Sequence, residues 1–109
     1  MALGRPSWEP AGLVREEAGL LYANRAQAYM AAQMWPEGAV DGATSVELKR
    51  VGNGKAWWRR GRCLVEMGRW EEAGEWVREG REVEGNESEL GGLGKEIELH
   101  LEGREGGKI

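Results

Sequence analysis

Apolar residues recur every three or four positions through the first half of the chain, which is the spacing of one helix face. Between positions 11 and 34 they are Leu13, Val14, Leu20, Leu21, Ala28, Met30 and Ala31. This pattern predicts one long helix from Ala11 to about Met34. Pro36 suits the first turn of a helix, so a second helix is predicted over about 36–49. We expect it to turn four residues inward: Val40, Ala43, Val46 and Leu48.

Glycines separate the predicted helices in the second half of the chain. Residues 50–54, Arg50-Val51-Gly52-Asn53-Gly54, are predicted to form a turn, and a third helix follows over about 55–67. Gly68 is placed to end that helix in the left-handed conformation. A fourth helix is predicted over about 70–83 and a fifth over about 87–101. The sequence therefore predicts an all-α protein.

The segments that flank residues 11–101 are less regular. Gly4, Pro6 and Pro10 indicate a loop over residues 1–10, which we interpret as the remnant of a preceding hairpin. Residues 102–109 are glycine-rich and are predicted to form a flexible tail. Asn86 is suited to cap the fifth helix.

Two segments of the chain match when Ala26 is aligned with Gly61. Segments 21–29 and 55–64 are then in register at an offset of 35 residues, one more than the 34-residue tetratricopeptide (TPR) period. The match predicts TPR-like antiparallel hairpins stacked with a C-terminal capping helix as a right-handed α-solenoid. The two hairpins would span about 11–49 and 55–84, and the capping helix about 87–101. Solenoids of this kind bind partners on a concave surface.

Charge is segregated along the sequence, although the net charge is only −4. Residues 1–48 carry −3, residues 49–70 carry +6 and residues 71–109 carry −7. A general nucleic-acid binder needs a broad basic face, so this pattern disfavours one. It suits a small, localised anion site. The acidic residues of the C-terminal part are most simply a solvated face.

Enzyme activity is not expected from this sequence. It holds one His and one Cys, without a nucleophile–base pair, a phosphate-binding loop or metal-ligand spacing. We therefore expect no cofactor and no metal site, an inert packed thiol at Cys63, and a surface or partly packed His100. Apolar runs fall short of the roughly 20 residues that span a membrane, so we expect a cytosolic or nuclear location, or attachment to a membrane only through a partner.

The candidate binding residues lie in equivalent parts of the two repeats. Lys55 and Arg59 are four apart and share one helix face, which Arg62 extends. Arg59 falls at the repeat position of Asn24, so both are expected to line one groove. A point charge, a planar guanidinium and a neutral amide together suit a carboxylate, above all the terminal carboxylate of a peptide.

These residues resemble those of the carboxylate-clamp TPR proteins, co-chaperones that bind the Glu-Glu-Val-Asp tail of heat-shock chaperones. Asn24-Arg25-Ala26 matches the Asn-Arg-Ala of their second repeat, and Lys55 with Arg59 matches the Lys-x-x-x-Arg of their third. The resemblance is greatest to the TPR domains of the fungal peripheral Sec-complex subunits. It implies a peptide site that consists of Asn24, Gln27, Lys55, Arg59 and Arg62.

The resemblance also implies partners and a location. The expected partner is the C-terminal peptide of a seventy-kilodalton-class chaperone, with other translocation-complex subunits as further partners. The expected place is the cytoplasm, on the cytosolic face of the endoplasmic reticulum, without membrane insertion or nucleic acid. Clamp domains have three hairpins, whereas this sequence shows two, so the first-hairpin clamp residues have no counterpart here. The alternative function is a scaffold that binds a folded partner without a clamp.

Several charged and aromatic residues have simpler structural interpretations. Arg25 is expected to pair with Asp41 on the next helix. Trp57 and Trp58 are expected to pack in the core and between repeats. Arg59-Arg60-Gly61-Arg62 resembles a nucleic-acid patch, but helical spacing would spread these arginines around the helix.

Glycine is abundant within the predicted helices, where each residue costs about 0.5–1 kcal/mol relative to Ala. Gly38 has a packing reason, because it aligns with Ala73 at the closest approach of two helices. No such reason is evident for the others: Gly19, Gly42, Gly74, Gly80, Gly91, Gly92 and Gly94. We therefore predict a marginally stable or partner-dependent protein.

Overall fold

A computed structural model of the protein describes residues 11–85 and 87–106. It contains five helices in this range: α1 (Ala11–Ala31), α2 (Trp35–Leu48), α3 (Gly54–Glu66), α4 (Trp70–Glu84) and α5 (Ser88–Gly106). The all-α prediction is confirmed, with the helices in the predicted order. Three expectations lie outside the described residues: the remnant at 1–10, the cap at Asn86 and the last part of the tail at 107–109.

The last helix is longer than its apolar stripe predicts. It continues to Gly106 rather than ending near Leu101. Nη1 of Arg104 lies 2.7 Å from a carboxylate oxygen of Glu71 on α4, and this ion pair holds the added turn against the preceding helix. At the other end, the carboxylate of Glu87 accepts hydrogen bonds from the backbone N–H groups of Glu89 and Leu90. Glu87 thereby satisfies two of the free donors of the first turn.

The helices form two layers. Helix α3 contacts both α1 and α5, whereas α2 and α4 do not contact each other within the described residues. The odd-numbered helices are therefore the closely spaced inner layer, and α2 and α4 form the outer layer. A solenoid curves toward its closely spaced layer, so α1, α3 and α5 line the concave side.

The core is concentrated around the third helix. Trp57, Leu64, Leu90 and Ile97 are among the largest fully buried side chains. The indole N–H of Trp57 donates to the carbonyl of Arg50, which ties α3 to the preceding turn. Trp58 packs against the edge of this core. Core packing, predicted for both tryptophans, is confirmed, since Trp57 is fully buried and Trp58 is half-buried against the core.

The glycine interpretation is wrong at two positions. A Cβ at Gly42 would lie 2.9 Å from Cβ of Arg60, and a Cβ at Gly80 would lie 2.9 Å from a ring carbon of Trp57. Both glycines are therefore required by close helix approach, as Gly38 is, where a Cβ would lie 2.9 Å from Sγ of Cys63. Sequence periodicity does not report such contacts, because the atoms that fill the space beside each glycine belong to a neighbouring helix.

The inward face of α2 also differs from the expectation. Val40 is 61% exposed, and the buried residues of this helix are mostly small: Gly38, Ala39, Asp41, Gly42, Ser45 and Val46. The prediction is therefore wrong for Val40, which lies on the outside, whereas Val46 is buried as predicted. Gly68 has φ 78°, which confirms its left-handed role at the end of α3.

The described part of the chain holds no helix that is both long enough and apolar enough to cross a membrane. Within the same residues, no group of three or more His, Cys, Asp or Glu side chains is arranged to hold a metal ion.

Candidate peptide-binding groove

Arg59 links the third helix to the first. Its Nη1 donates a hydrogen bond of 2.6 Å to the carbonyl oxygen of Ala23. Asn24, the next residue, is exposed, so this bond brings the guanidinium to the turn of α1 that carries the amide. Burial lowers the pKa of Arg59, and the charge of Glu89 on α5 opposes that effect. Two of the expected site residues therefore lie on adjoining turns of the inner layer.

Lys55 and Gln27 extend this surface. Lys55 lies in the first turn of α3, four residues before Arg59, and its side chain is exposed. Gln27 lies three residues after Asn24 on α1 and is exposed as well. Residues three or four apart share a helix face, so each helix presents a neighbouring polar pair. A role in peptide binding stays a prediction for all four residues.

Arg62 is engaged by two carboxylates of the protein itself. Its Nη1 lies 3.0 and 2.9 Å from the two carboxylate oxygens of Glu96 on α5, and its Nη2 lies 2.6 Å from an oxygen of Glu66. Burial lowers the pKa of Arg62, but the hydrogen bonds to Glu66 and Glu96 outweigh it and the pKa is raised. A peptide carboxylate has to compete with both glutamates for this guanidinium.

The acidic members of the groove were missed by the sequence analysis. Glu89 and Glu96 follow Lys55 and Arg62 by 34 residues, the usual TPR period and one less than the offset between the first two repeats, and they carry negative charge onto the same inner layer. The interpretation of residues 71–105 as a solvated face obscured them. Extending the repeat register by one more period would have found them.

The three arginines of α3 point to three different neighbours. Arg59 reaches α1, Arg62 reaches α5, and Arg60 donates 3.0 Å to the carbonyl of Ala39 on α2. The Arg60 guanidinium also lies 4.8 Å from the ring centre of Trp76. The expectation that helical spacing spreads this cluster is confirmed, and the three side chains form no continuous basic patch.

Arg25 lies beside the groove and is bound within its own hairpin. Its Nε and Nη2 lie 2.6 and 3.0 Å from the two carboxylate oxygens of Asp41. The hydrogen bond to Asp41 raises the pKa of Arg25. The ring centres of Tyr22 and Tyr29 lie 5.3 and 5.8 Å from the guanidinium carbon. The predicted structural pair is confirmed.

A cavity of about 420 Å³ lies away from these residues, between α4 and α5. Val77, Ile97, Leu101 and Arg78 are among the residues that line it. It shares no lining residue with the expected peptide site. The expected peptide site therefore lies outside this cavity, on the inner layer.

Comparison of the sequence with known proteins finds a related protein in a fungus. No family model matches the sequence. Over 80 residues, or 73% of this chain, the sequence is 40% identical to the ER protein translocation subcomplex subunit sec67 of Schizosaccharomyces pombe. The chain spans 41% of the length of that relative.

Solved structures share the arrangement of the helices. The first TPR of Spaghetti (RPAP3), bound to the HSP90 peptide SRMEEVD, has a TM-score of 0.69 and 29% identity over 76% of this chain and 65% of its own. The second TPR domain of human RPAP3, in complex with the HSP70 peptide SGPTIEEVD, has a TM-score of 0.67 and 28% identity over 73% of this chain and 66% of its own.

This chain has a tetratricopeptide fold. The TPR domain of Arabidopsis OM64 shares that fold as well, with a TM-score of 0.66 and 20% identity over 83% of this chain and 96% of its own. The resemblance of this TPR chain to the fungal Sec-complex subunit, predicted from its sequence, is confirmed by the relative in Schizosaccharomyces pombe.

Proposed function

We propose that this TPR chain is a non-catalytic adaptor that binds the acidic C-terminal tail of a cytosolic heat-shock chaperone. The observation that carries the proposal is the bond from Arg59 to the Ala23 carbonyl, which sets a guanidinium beside Asn24 with Lys55 exposed one turn away. An amide and two cations on adjoining turns suit the paired oxygens of a terminal carboxylate.

Arg59 has donors to spare for a ligand. A guanidinium carries five N–H groups, and the hydrogen bond to Ala23 uses one of them. The side chain is also half-buried, and an ionised group that has lost water is stabilised by a charged acceptor. A peptide carboxylate at this position supplies such an acceptor, while Lys55 contributes a mobile charge from the rim.

The comparisons support the same ligand class. The two RPAP3 domains are solved with peptides that end in Glu-Glu-Val-Asp, and the relative in Schizosaccharomyces pombe is a translocation subunit. We infer that the partner is a chaperone of the seventy-kilodalton class, and that the adaptor works in translocation at the cytosolic face of the endoplasmic reticulum. Other subunits of the translocation complex are further proposed partners.

Calorimetric titration of the full chain with an acidic peptide that ends in Glu-Glu-Val-Asp tests the proposal. Lys55→Ala and Arg59→Ala are each expected to weaken binding by about tenfold, the effect of losing one charge-assisted hydrogen bond. Arg78→Ala is the matched control, because Arg78 is exposed on the outer helix α4. Amidation of the peptide C-terminus, which removes the terminal carboxylate, is also expected to weaken binding to the wild-type chain.

The result that overturns the proposal is an affinity that neither Lys55→Ala nor Arg59→Ala changes. The scaffold alternative rests on a different observation, the exposure of Leu13, Leu20 and Leu21 on α1. It predicts that a purified translocation subunit binds the chain equally well with and without the two cations.

A further inference from the structure

Charge changes sign across the three inner helices at the expected peptide site. Helix α1 presents two exposed amides, Asn24 and Gln27, and α3 presents cations, among them Arg62. Helix α5 presents the exposed carboxylates of Glu89 and Glu96. Because α3 contacts both other helices, while α1 and α5 do not contact each other within the described residues, the order across the concave side is amide, cation and acid.

The pair between Arg62 and Glu96 sets a condition on any acidic ligand. Nη1 of Arg62 serves both oxygens of Glu96, at 3.0 and 2.9 Å, while Nη2 serves Glu66 on its own helix. A ligand carboxylate that takes Nη1 has to displace Glu96, which then loses its cation. The displaced carboxylate stays beside the ligand, because α5 is packed against α3. It therefore repels a ligand that carries only negative charge.

Glu89 adds a second carboxylate to the same side of α5. Burial lowers the pKa of Arg59, and the charge of Glu89 opposes this effect, so Glu89 acts on the cations of the groove. Among the described residues, no ion pair includes Glu89. Glu89 and Glu96 are seven residues apart, which is two helical turns, so they share one face of α5. This face offers negative charge to the part of a peptide that lies across it.

The distance from α3 to α5 indicates which part of a peptide meets these acids. Packed helices lie about 8–10 Å apart, and an extended chain advances about 3.3 Å per residue. A peptide that runs across the inner layer, with its terminal carboxylate beside Arg59, therefore reaches α5 about three to five residues before its end. In a tail that ends in Glu-Glu-Val-Asp, the residues just upstream of the acidic end lie over α5.

We propose that Glu89 and Glu96 select acidic C-terminal tails that carry a basic residue just upstream of the acidic end. This inference rests on the proposed peptide binding and adds a second requirement to it. Binding exchanges the pair between Arg62 and Glu96 for two pairs with the ligand, a peptide carboxylate on Arg62 and a peptide cation on Glu96. A base on the peptide thus replaces the partner that Glu96 loses, and the charges of ligand and groove are complementary.

Calorimetric titration of the full chain with two series of peptides measures this selection. Every peptide ends in Glu-Glu-Val-Asp, and one residue just upstream of that end is either Lys or Gln. The Lys peptides are expected to bind about two- to fivefold more tightly, the effect of one exposed ion pair, with a smaller difference at high salt. A peptide with its Lys about ten residues upstream is the control for net charge, because that residue lies beyond α5.

Variants of the two acids assign the effect to one face of α5. The preference for Lys is expected to disappear in the double variant Glu89→Gln/Glu96→Gln. It is expected to persist in Glu98→Gln/Glu102→Gln, which removes the same charge from the opposite side of the helix. Glu96→Gln alone should bind the Gln peptides more tightly than the wild type does and show no such gain with the Lys peptides.

The possible results separate this inference from the proposed function. Equal affinity for the Lys and Gln peptides at every upstream position overturns the inference alone, as does a preference for Lys that survives Glu89→Gln/Glu96→Gln. Failure of both peptide series to bind the wild-type chain overturns the proposed function and this inference with it. Circular dichroism of each variant reports that it is folded, so that a lost preference is not the result of unfolding.

Discussion

The guanidinium of Arg62 and the carboxylate of Glu96 join α3 to α5 across the concave side, with one nitrogen 3.0 and 2.9 Å from the two oxygens. The ion pair engages Arg62, one of the cations that the sequence predicts to bind the peptide. It also fixes the spacing of the two helices on the side where an extended peptide would lie.

Neutralising Glu96 is expected to strengthen the binding of an acidic peptide. Glu96→Gln removes a charge that competes for Arg62, and the affinity should rise by about two- to tenfold at low salt, with less gain as salt screens the groove. Calorimetric titration measures the change. Glu98→Gln, on a different face of α5, serves as the control and should give a much smaller gain. Equal affinities of wild type and Glu96→Gln would show that Arg62 does not contact the peptide.

Gly80→Ala is expected to destabilise the protein. The added Cβ would lie 2.9 and 3.0 Å from ring carbons of the fully buried Trp57. Overpacking of a core costs about 1–3 kcal/mol, and the better helix propensity of Ala recovers up to about 1 kcal/mol. We therefore expect a net loss of about 1–2 kcal/mol in urea unfolding followed by circular dichroism.

Gly92→Ala is the control for that measurement, because a Cβ at Gly92 meets nothing within 4 Å. It should stabilise the protein by about 0.5–1 kcal/mol through helix propensity alone. If both variants change stability in the same direction, the close contact of Gly80 with Trp57 does not control the effect.

Cys63 is expected to react slowly with thiol reagents while the protein is folded. Its side chain is buried, and burial raises the pKa of the thiol from 9.0 to about 11. The folded state holds the proton more tightly than the unfolded state, so this group's contribution to stability is complete below pH 9 and is lost as the pH rises toward 11.

The stability of the wild type should therefore fall more steeply over that range than the stability of Cys63→Ala. Urea unfolding at pH 8 and at higher pH measures the two slopes. Parallel slopes would mean that the thiol titrates normally in the folded protein.

The pair between Arg25 and Asp41 is expected to be strongly coupled. The Asp41 side chain is only 5% exposed, so Arg25→Ala leaves a buried carboxylate without its cation and should lower the stability. Changing both residues to Ala removes the orphaned charge as well. The double variant should therefore be more stable than Arg25→Ala alone, as a double-mutant cycle measures. Additive losses would mean that the two side chains do not stabilise each other.

The sequence predicts the helices well because the residues that end the helices and the alignment of the two repeats can be recognised from short segments. Gly68 requires a left-handed backbone at a helix end, and the Arg25–Asp41 pair follows from the spacing of the two side chains on facing helices. The alignment of Asn24 with Arg59 is likewise a property of the repeat. In each case one or two residues are enough to predict the structural feature.

The rest of the site depends on contacts between helices that periodicity does not report. Val40 is exposed because α2 meets its neighbouring helices through small residues such as Gly38 and Gly42, so an apolar residue of this helix is not necessarily an inner one. Glu89 and Glu96 lie in the groove because α5 occupies the position in the third repeat that α3 occupies in the second. The sequence of α5 by itself indicates only a charged helix. Such positions are defined by the neighbouring helix and not by the segment that contains them.

The uneven distribution of large buried side chains has a consequence for unfolding. Of the largest fully buried residues, all but Ser45 belong to α3, α4 or α5, while α1 and α2 meet mainly through alanine and glycine. The N-terminal hairpin therefore has little cohesion of its own and is held by α3. Its amide protons should exchange with solvent earliest, at opening free energies below that of global unfolding. The N-terminal hairpin is thus expected to open before the three C-terminal helices do.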